Sequence, residues 1–278
     1  MKKRRVKLAN VVIMLILFLF AGMSLFPFYW NFIASVTPVS EIFRYPPTLL
    51  PTSFTLEHFR RISMFFPNFL NNIFNSVFLA LLIPTLALFI NSMAGFAFAK
   101  YKFRGKRFLF GIIVATMLLP TTTNFIPLFL QMVAFGLVDN FLAVILPGMA
   151  GAFGVFLFRQ AIYSVPDELI DAGKIDGAND FLIYLRIVLP TISPMLTTVF
   201  IMNVITVWND YFWPFIVLRS EPMLTFPVVL AGIQGITFDV PWGVIMAGAF
   251  ILTMPTIIIY CALSKYIVPD ISAGGIKG

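Results

Sequence analysis

NSVFLALLIPTLALFINSMAGFAFAKYKFRGK, residues 75–106, decides the fold. Most of it belongs to a continuously apolar run over about 71 to 99, and about 20 helical residues cross the roughly 30 Å of hydrocarbon in a bilayer. A run that is apolar throughout, without alternation, selects a helix over a barrel strand. A helix also satisfies its own backbone hydrogen bonds inside lipid. Lys100, Lys102, Arg104, Lys106 and Arg107 follow at once, and short loops rich in such residues stay cytoplasmic. The stretch therefore reads as a spanning helix that delivers the chain to the cytoplasmic face.

Working outward, runs of the same kind lie at about 9 to 34, 107 to 134, 140 to 163, 189 to 217 and 241 to 266. The expectation is an all-α integral membrane protein of six transmembrane helices, a single membrane domain over 1–278. Composition agrees: 60% of the 278 residues are hydrophobic, 33 are Phe and only 11% are charged, with a mean hydropathy of +0.95, which excludes an ordinary soluble domain. Besides the five basic residues already named, Lys2, Lys3, Arg4, Arg5, Lys7, Arg159, Lys174, Arg186, Lys265 and Lys277 fall on the same side. Only Arg44, Arg60, Arg61 and Arg219 fall opposite. Both termini are thus expected in the cytoplasm, and the net charge of +7 reflects topology and anionic lipid headgroups, with no nucleic-acid partner. The first apolar run is longer than a signal core and lacks a small-x-small site before FPFYWN at 26–31, so it reads as an uncleaved helix.

The chain lacks the motifs of a self-sufficient enzyme. It contains no GxxxxGK[ST], HExxH or GxSxG and no cysteine cluster, so no catalytic residue, metal site or nucleotide site is expected in it. His58, the only histidine, reads as a surface residue of the outer segment at about 35 to 70; Cys261, the only cysteine, reads as a buried apolar residue of the last span. The other outer loop, about 218 to 240, carries REPMLTFPVVLAGIQG, apolar enough to lie at the membrane interface, pack against a partner, or be an ordinary hydrophobic loop.

One polar island interrupts this pattern: PDELIDAGKIDGANDFLIYLRIVLP, residues 166–190. Ser164 is placed to cap a helix with Pro166 in its first turn, and Asp167 and Glu168 follow where the helix dipole favours negative charge. Leu169, Ala172, Gly173 and Asp176 share a face, and the small pair allows another surface to approach. Gly177 ends the helix. Asn179 or Asp180 caps a second one with Phe181, Tyr184, Leu185 and Val188 at helical spacing. Two short helices meeting at a glycine form a cytoplasmic knob, a handle for a soluble motor or a plain amphipathic linker.

These residues resemble the EAA loop of ABC importer permeases. Asp171-Ala172-Gly173, Gly177, Ile187, Leu189 and Pro190 match that family's spacing, and Lys174-Ile175-Asp176-Gly177-Ala178 matches the fuller form of carbohydrate permeases. Asp171 in place of Glu and Gly173 in place of the second Ala are departures. The resemblance extends to the passage at 75–106, the WNDYFWP run at 208–214 and the tail SAGGIKG from Ser272, and is nearest to the second permease of maltose-type systems. It implies a permease subunit forming half of the pathway for a sugar or oligosaccharide. It further implies a second homologous permease, two copies of a cytoplasmic ABC ATPase that binds ATP and Mg, an external or periplasmic solute-binding protein, and no cofactor on this chain. The coupling loop, about 164–190 between helices 4 and 5, would dock the ATPase through Glu168, Asp171, Ala172, Gly173, Asp176, Gly177 and Ala178, and Leu189 and Pro190 would pass the motion on. The Gly-rich tail would reach the ATPase pair or be disordered.

Polar side chains within spans are the candidates for the solute pathway: Asn91, Asn124, Asn203, Trp208, Asn209 and Asp210, with Ser92 and Thr121 to Thr123 beside them. Sugars suit aromatic faces combined with amides, although such residues also serve simply to join helices. Pro120 and Pro127 bracket a kink in the third span. An ion-coupled secondary transporter or channel is the rival reading. It needs buried ionisable groups, and Asp210, near the outer end of the fifth span, is the sole acidic residue inside an apolar run.

Overall fold

The computed structural model describes residues 8–46, 49–233 and 241–267, and its regular structure is all helix, with no strand among the described residues. It contains two compact units, Met1–Phe69 with Gly232–Pro255, and Leu70–Ala231 with Thr256–Gly278. The smaller unit holds α1 (Leu8–Ser35), the short α2 (Glu57–Phe65), and a single turn at Val39–Ile42. At about 1.5 Å per residue, the 28 residues of α1 exceed the hydrocarbon thickness. None of its apolar window is buried within the chain, so this surface belongs to lipid or to another chain.

In the larger unit α3 (Phe69–Lys100) is followed by α4 (Lys106–Thr116), α5 (Phe125–Ala134), α6 (Leu142–Gly148) and α7 (Ala152–Tyr163). Next come α8 (Asp167–Ile175), α9 (Asp180–Ile183), a π-helical turn at Tyr184–Val188, then α10 (Ser193–Asn209), α11 (Phe212–Val217) and α12 (Phe226–Gly232), while α13 (Trp242–Ile267), which belongs to the smaller unit as far as Pro255, closes the described chain. Among the described residues four helices are long and apolar enough to cross a membrane, Asn10–Ser35, Phe69–Lys100, Leu142–Tyr163 and Trp242–Leu263. A fifth span forms if Asp180–Thr191 and Ser193–Asn209, bent by 83° against each other, are taken as one.

The apolar run at 107 to 134 is not one helix. Pro120 has no N–H, and its ring would meet the carbonyl four residues back; that residue is Thr116, where α4 ends. The chain then passes through a 3-10 turn at Thr121–Asn124 before α5 begins. Pro127 lies in the first turn of α5, where its missing N–H would have had no partner, so the two prolines do different things. Pro84 and Pro255 remain inside α3 and α13 without ending them.

Close packing explains several small residues. A Cβ at Gly95 of α3 would stand 2.8 Å from Phe158 Cβ and 2.9 Å from the backbone nitrogen of Arg159, so α3 and α7 touch along their backbones. One core gathers around the C-terminal third of α3 from Phe96, Phe158, Ile162, Ile183, Tyr184 and Val188. A second gathers around its N-terminal half from Leu79, Ile83, Val144, Trp213 and Val217.

The structure corrects two expectations, for His58 and Cys261, and resolves an open one for the outer loop. His58 is buried at 4% exposure, its Nε2 2.8 Å from the Thr37 carbonyl, and Gly243 lies so close that a Cβ there would collide with the imidazole. Cys261 is exposed, since its part of α13 is not covered by this chain. The apolar loop after residue 218 folds inward, with Phe226 fully buried and Val228 and Leu230 nearly so. Residues 234–240 and the Gly-rich tail lie outside the described residues.

Candidate functional site

Ser164 does not cap α8. Its Oγ donates to the Ala161 carbonyl at 2.8 Å and so closes α7, while Pro166 takes the cap position of α8. Lys100, at the end of α3, donates to the Val165 carbonyl at 2.5 Å and to Asp167 Oδ1 at 2.6 Å. That bond and the Lys100 charge hold the Asp167 carboxyl below its usual pKa, with Lys102 and Lys174 adding to the effect. Burial, then the neighbouring Asp180 carboxylate, pushes the hydroxyl of the next residue, Tyr101, up to about 12. Lys100 at the end of α3 thus fastens the first residue of α8.

Gly177 ends α8 with φ of 79°, the left-handed geometry that glycine adopts without a Cβ penalty. Its N–H donates to the Lys174 carbonyl at 3.0 Å and that of Ala178 to the Gly173 carbonyl at 2.9 Å, the paired bonds of a Schellman stop. Asn179 then caps α9, its Oδ1 accepting from Leu182 N–H at 2.8 Å. The faces differ from the spacing argument. Gly173 points inward, where a Cβ would be 2.7 Å from Ile187 Cδ1, so its smallness lets α8 sit on the next element and exposes nothing. Outward face Glu168, Leu169, Asp171, Ala172 and Asp176, with Ile175 86% exposed. Phe181 of α9 is exposed, and past α9 the π-helical turn keeps Tyr184 and Val188 buried and leaves Leu185 exposed. Leu189 is part-buried and Pro190 exposed, just ahead of the 83° bend.

Away from this knob is a cavity of about 750 Å3. Ile83, Pro84 and Ala87 of α3 form one wall, Thr116, Met117, Leu119 and Asn124 at the interrupted third run another, and Asn203, Thr206, Trp208, Asp210 and Trp213 a third. Four of the six pathway candidates therefore line it: Asn124, Asn203, Trp208 and Asp210. Asn203 and Asn124 have no side-chain bond among the described residues, leaving their amides available. Trp213 Nε1 donates to the Ala143 carbonyl at 2.9 Å and its ring stacks 5.9 Å from Phe125, giving a fixed aromatic wall. Asp210 Oδ1 accepts from Phe212 N–H at 3.2 Å, which caps α11. Asn91 and Asn209 lie elsewhere. Buried Asn91 accepts from Gly151 N–H at 3.1 Å and packs against Gly154, joining α3 to α7. Asn209 donates to the Ile205 carbonyl at 2.7 Å and to Thr256 Oγ1 at 3.3 Å.

Residues 87–273 match the family described as binding-protein-dependent transport system inner membrane component. The chain belongs to this family. This permease is 33% identical over 264 residues to the arabinooligosaccharides transport system permease protein AraQ of Halalkalibacterium halodurans, covering 93% of each chain. It is 32% identical over 266 residues to the lactose transport system permease protein LacG of Rhizobium radiobacter, covering 95% of each. A crystal structure described as a bacterial ABC transporter involved in the import of the acidic polysaccharide alginate contains a chain that superposes with a TM-score of 0.85 at 25% identity. The match covers 96% of this permease and 99% of that chain. The protein is thus a membrane permease of a binding-protein-dependent transport system.

The permease also carries fastenings that sequence reasoning missed. Asn71 Nδ2 donates to the Pro222 carbonyl at 2.6 Å, Asn72 to the Glu221 and Leu224 carbonyls at 3.1 and 2.9 Å, and Asn75 to those of Pro222 and Leu224 at 2.8 and 3.0 Å. Asp139, in left-handed geometry with φ of 62°, accepts from the N–H groups of Arg219 and Ser220, both at 2.9 Å, and from Ser220 Oγ at 2.7 Å. These bonds hold the Asp139 carboxyl below its usual pKa. The signal was present as NNIFNS at the head of an apolar run, where asparagines at i and i+3 or i+4 share a helix face.

Proposed function

We propose that this permease forms half of the membrane pathway of an ATP-driven importer for a neutral sugar or oligosaccharide. Relatives named for arabino-oligosaccharides and lactose support that substrate class, as does a cavity that combines the rings of Trp208 and Trp213 with the unengaged amides of Asn124 and Asn203. The other half is a second homologous permease. Two copies of a cytoplasmic ATPase hold ATP and Mg, an external solute-binding protein delivers the sugar, and this chain holds no cofactor.

The observation that carries the coupling assignment is the exposed face of α8, where Ile175 stands 86% exposed beside Leu169, Ala172 and acidic side chains. Exposed apolar side chains grouped on a polar surface, here Leu169 and Ile175, suit a partner contact. Asp171, Ala172, Asp176, Gly177 and Ala178 belong to that ATPase contact together with Glu168. Gly173 supports it from behind, and Leu189 and Pro190 transmit its motion into α10. The test is Ile175→Asp in the assembled transporter reconstituted in liposomes. Uptake of radiolabelled lactose or arabino-oligosaccharide and recovery of the ATPase should both fall more than tenfold while membrane insertion is unchanged. Full uptake by the variant would remove α8 from the ATPase contact, and ATP-dependent uptake of neither sugar by the parent transporter would overturn the substrate class alone.

A further inference from the structure

The end of the larger unit that carries residues 100–107 holds a second cavity, of about 590 Å3. Its lining combines three cations, Lys106, Arg107 and Arg159, with the rings of Phe103, Phe108 and Phe110 and contains no carboxylate. Among the described residues no acidic side chain pairs with any of the three. Like charges gathered in one hollow repel, most strongly where the dielectric falls toward lipid, and an anion seated among them reverses that cost.

Two of the cations are held in place by neutral partners. Arg159, half-buried on α7, donates from Nε to the Phe98 carbonyl at 3.1 Å, and its guanidinium lies 4.1 Å above the Phe110 ring. The fork is thereby fixed while its two terminal nitrogens keep no partner, the geometry that grips a phosphate through two bonds. Lys106 donates from Nζ to the Tyr101 carbonyl at 2.7 Å and the Ala99 carbonyl at 3.3 Å, which closes α3 and fixes the ammonium in the wall. Arg107 stands exposed at the rim.

The rim identifies the anion. Phe108 is 71% and Phe103 41% exposed, on the stretch where α4 turns from a basic loop into an apolar run. A free inorganic anion has no use for these rings, whereas a phospholipid brings acyl chains to cover them. Basic segments at this position face the leaflet richest in anionic lipid. We infer that this cavity binds the phosphodiester headgroup of an anionic phospholipid, with Arg159, Lys106 and Arg107 on the phosphate and Phe103 and Phe108 along the acyl chains.

Native mass spectrometry of the purified transporter containing this chain, delipidated and titrated with phosphatidylglycerol, phosphatidylcholine or inorganic phosphate, tests the assignment. Phosphatidylglycerol should stay bound where phosphatidylcholine does not, and Arg159→Gln and Arg107→Gln should each weaken it about tenfold, the scale of one charge-assisted contact. Lys102→Gln, on the same loop but outside the cavity, should retain it. Equal retention of the two lipids, unchanged phosphatidylglycerol binding in both arginine variants, or displacement of the lipid by an equal concentration of inorganic phosphate would each overturn the assignment. Should Arg159→Gln fail to assemble, the exposed Arg107→Gln decides the matter alone.

Discussion

At one end of the larger unit Lys100 holds the carboxylate of Asp167, whereas at the other Asn71, Asn72 and Asn75 hold the backbone carbonyls of Glu221, Pro222 and Leu224. Both ends tie a connecting segment to α3, yet they specify it differently. A carbonyl is supplied by whichever residue stands there, so the loop at 221–224 can vary while the asparagines cannot. Where both partners are side chains, each must keep its identity. The knob is therefore written into two parts of the sequence at once, and the far loop into only one.

Gly173→Leu should break the first end most severely. A side chain there must displace Ile183 and Ile187, costing about 3 kcal/mol, with loss of the ATPase from the purified complex and a lowered Tm as the readouts. At the far end Asn72→Leu removes its part-buried bonds to the Glu221 and Leu224 carbonyls, of which Leu224 keeps Asn75, an expected loss of about 1–3 kcal/mol in thermal unfolding. Pro222→Ala, which keeps the accepting carbonyl, should change stability by less than about 0.5 kcal/mol; a larger effect would mean that the loop's side chains matter after all.

The smallest effects are electrostatic. At 1 M salt the screening length falls to about 3 Å, so hydrogen exchange of α8 should quicken with salt while that of the 221–224 segment does not. Acid treats the two ends alike. The carboxyls of Asp167 and Asp139 are both held low, so their contacts contribute above the unfolded value of about 3.9 and are lost as pH falls through the lowered folded values. Opening of α8 at pH 6 would contradict this sign.

Apolar runs and the helix stop at Gly177 were legible because each follows from a local rule: continuous hydrophobicity in one case, a glycine after a dipole-matched helix in the other. The third run was not, since proline alone does not say whether it will end a helix, as Pro120 does, or ride inside one, as Pro84 does. Which side of a helix faces in is also a tertiary matter. Spacing grouped Gly173 with Ala172, and only contact with Ile187 reveals that the glycine is the inward one. Among the pathway candidates, Asn91 and Asn203 look alike in sequence; one is consumed by Gly151 and Gly154, and the other opens into the cavity.

The π-helical turn at Tyr184–Val188 makes chain length itself informative. Such a turn accommodates about one residue more than an α turn. Removing a single codon between 184 and 188 lets the wide turn close to an α turn, which absorbs the loss and leaves Ile175 and its acidic neighbours facing nearly the same way. The same deletion in a regular helix such as α10 turns everything beyond it by about 100° around the axis. Chain length is thus forgiving at 184–188 and strict along α10.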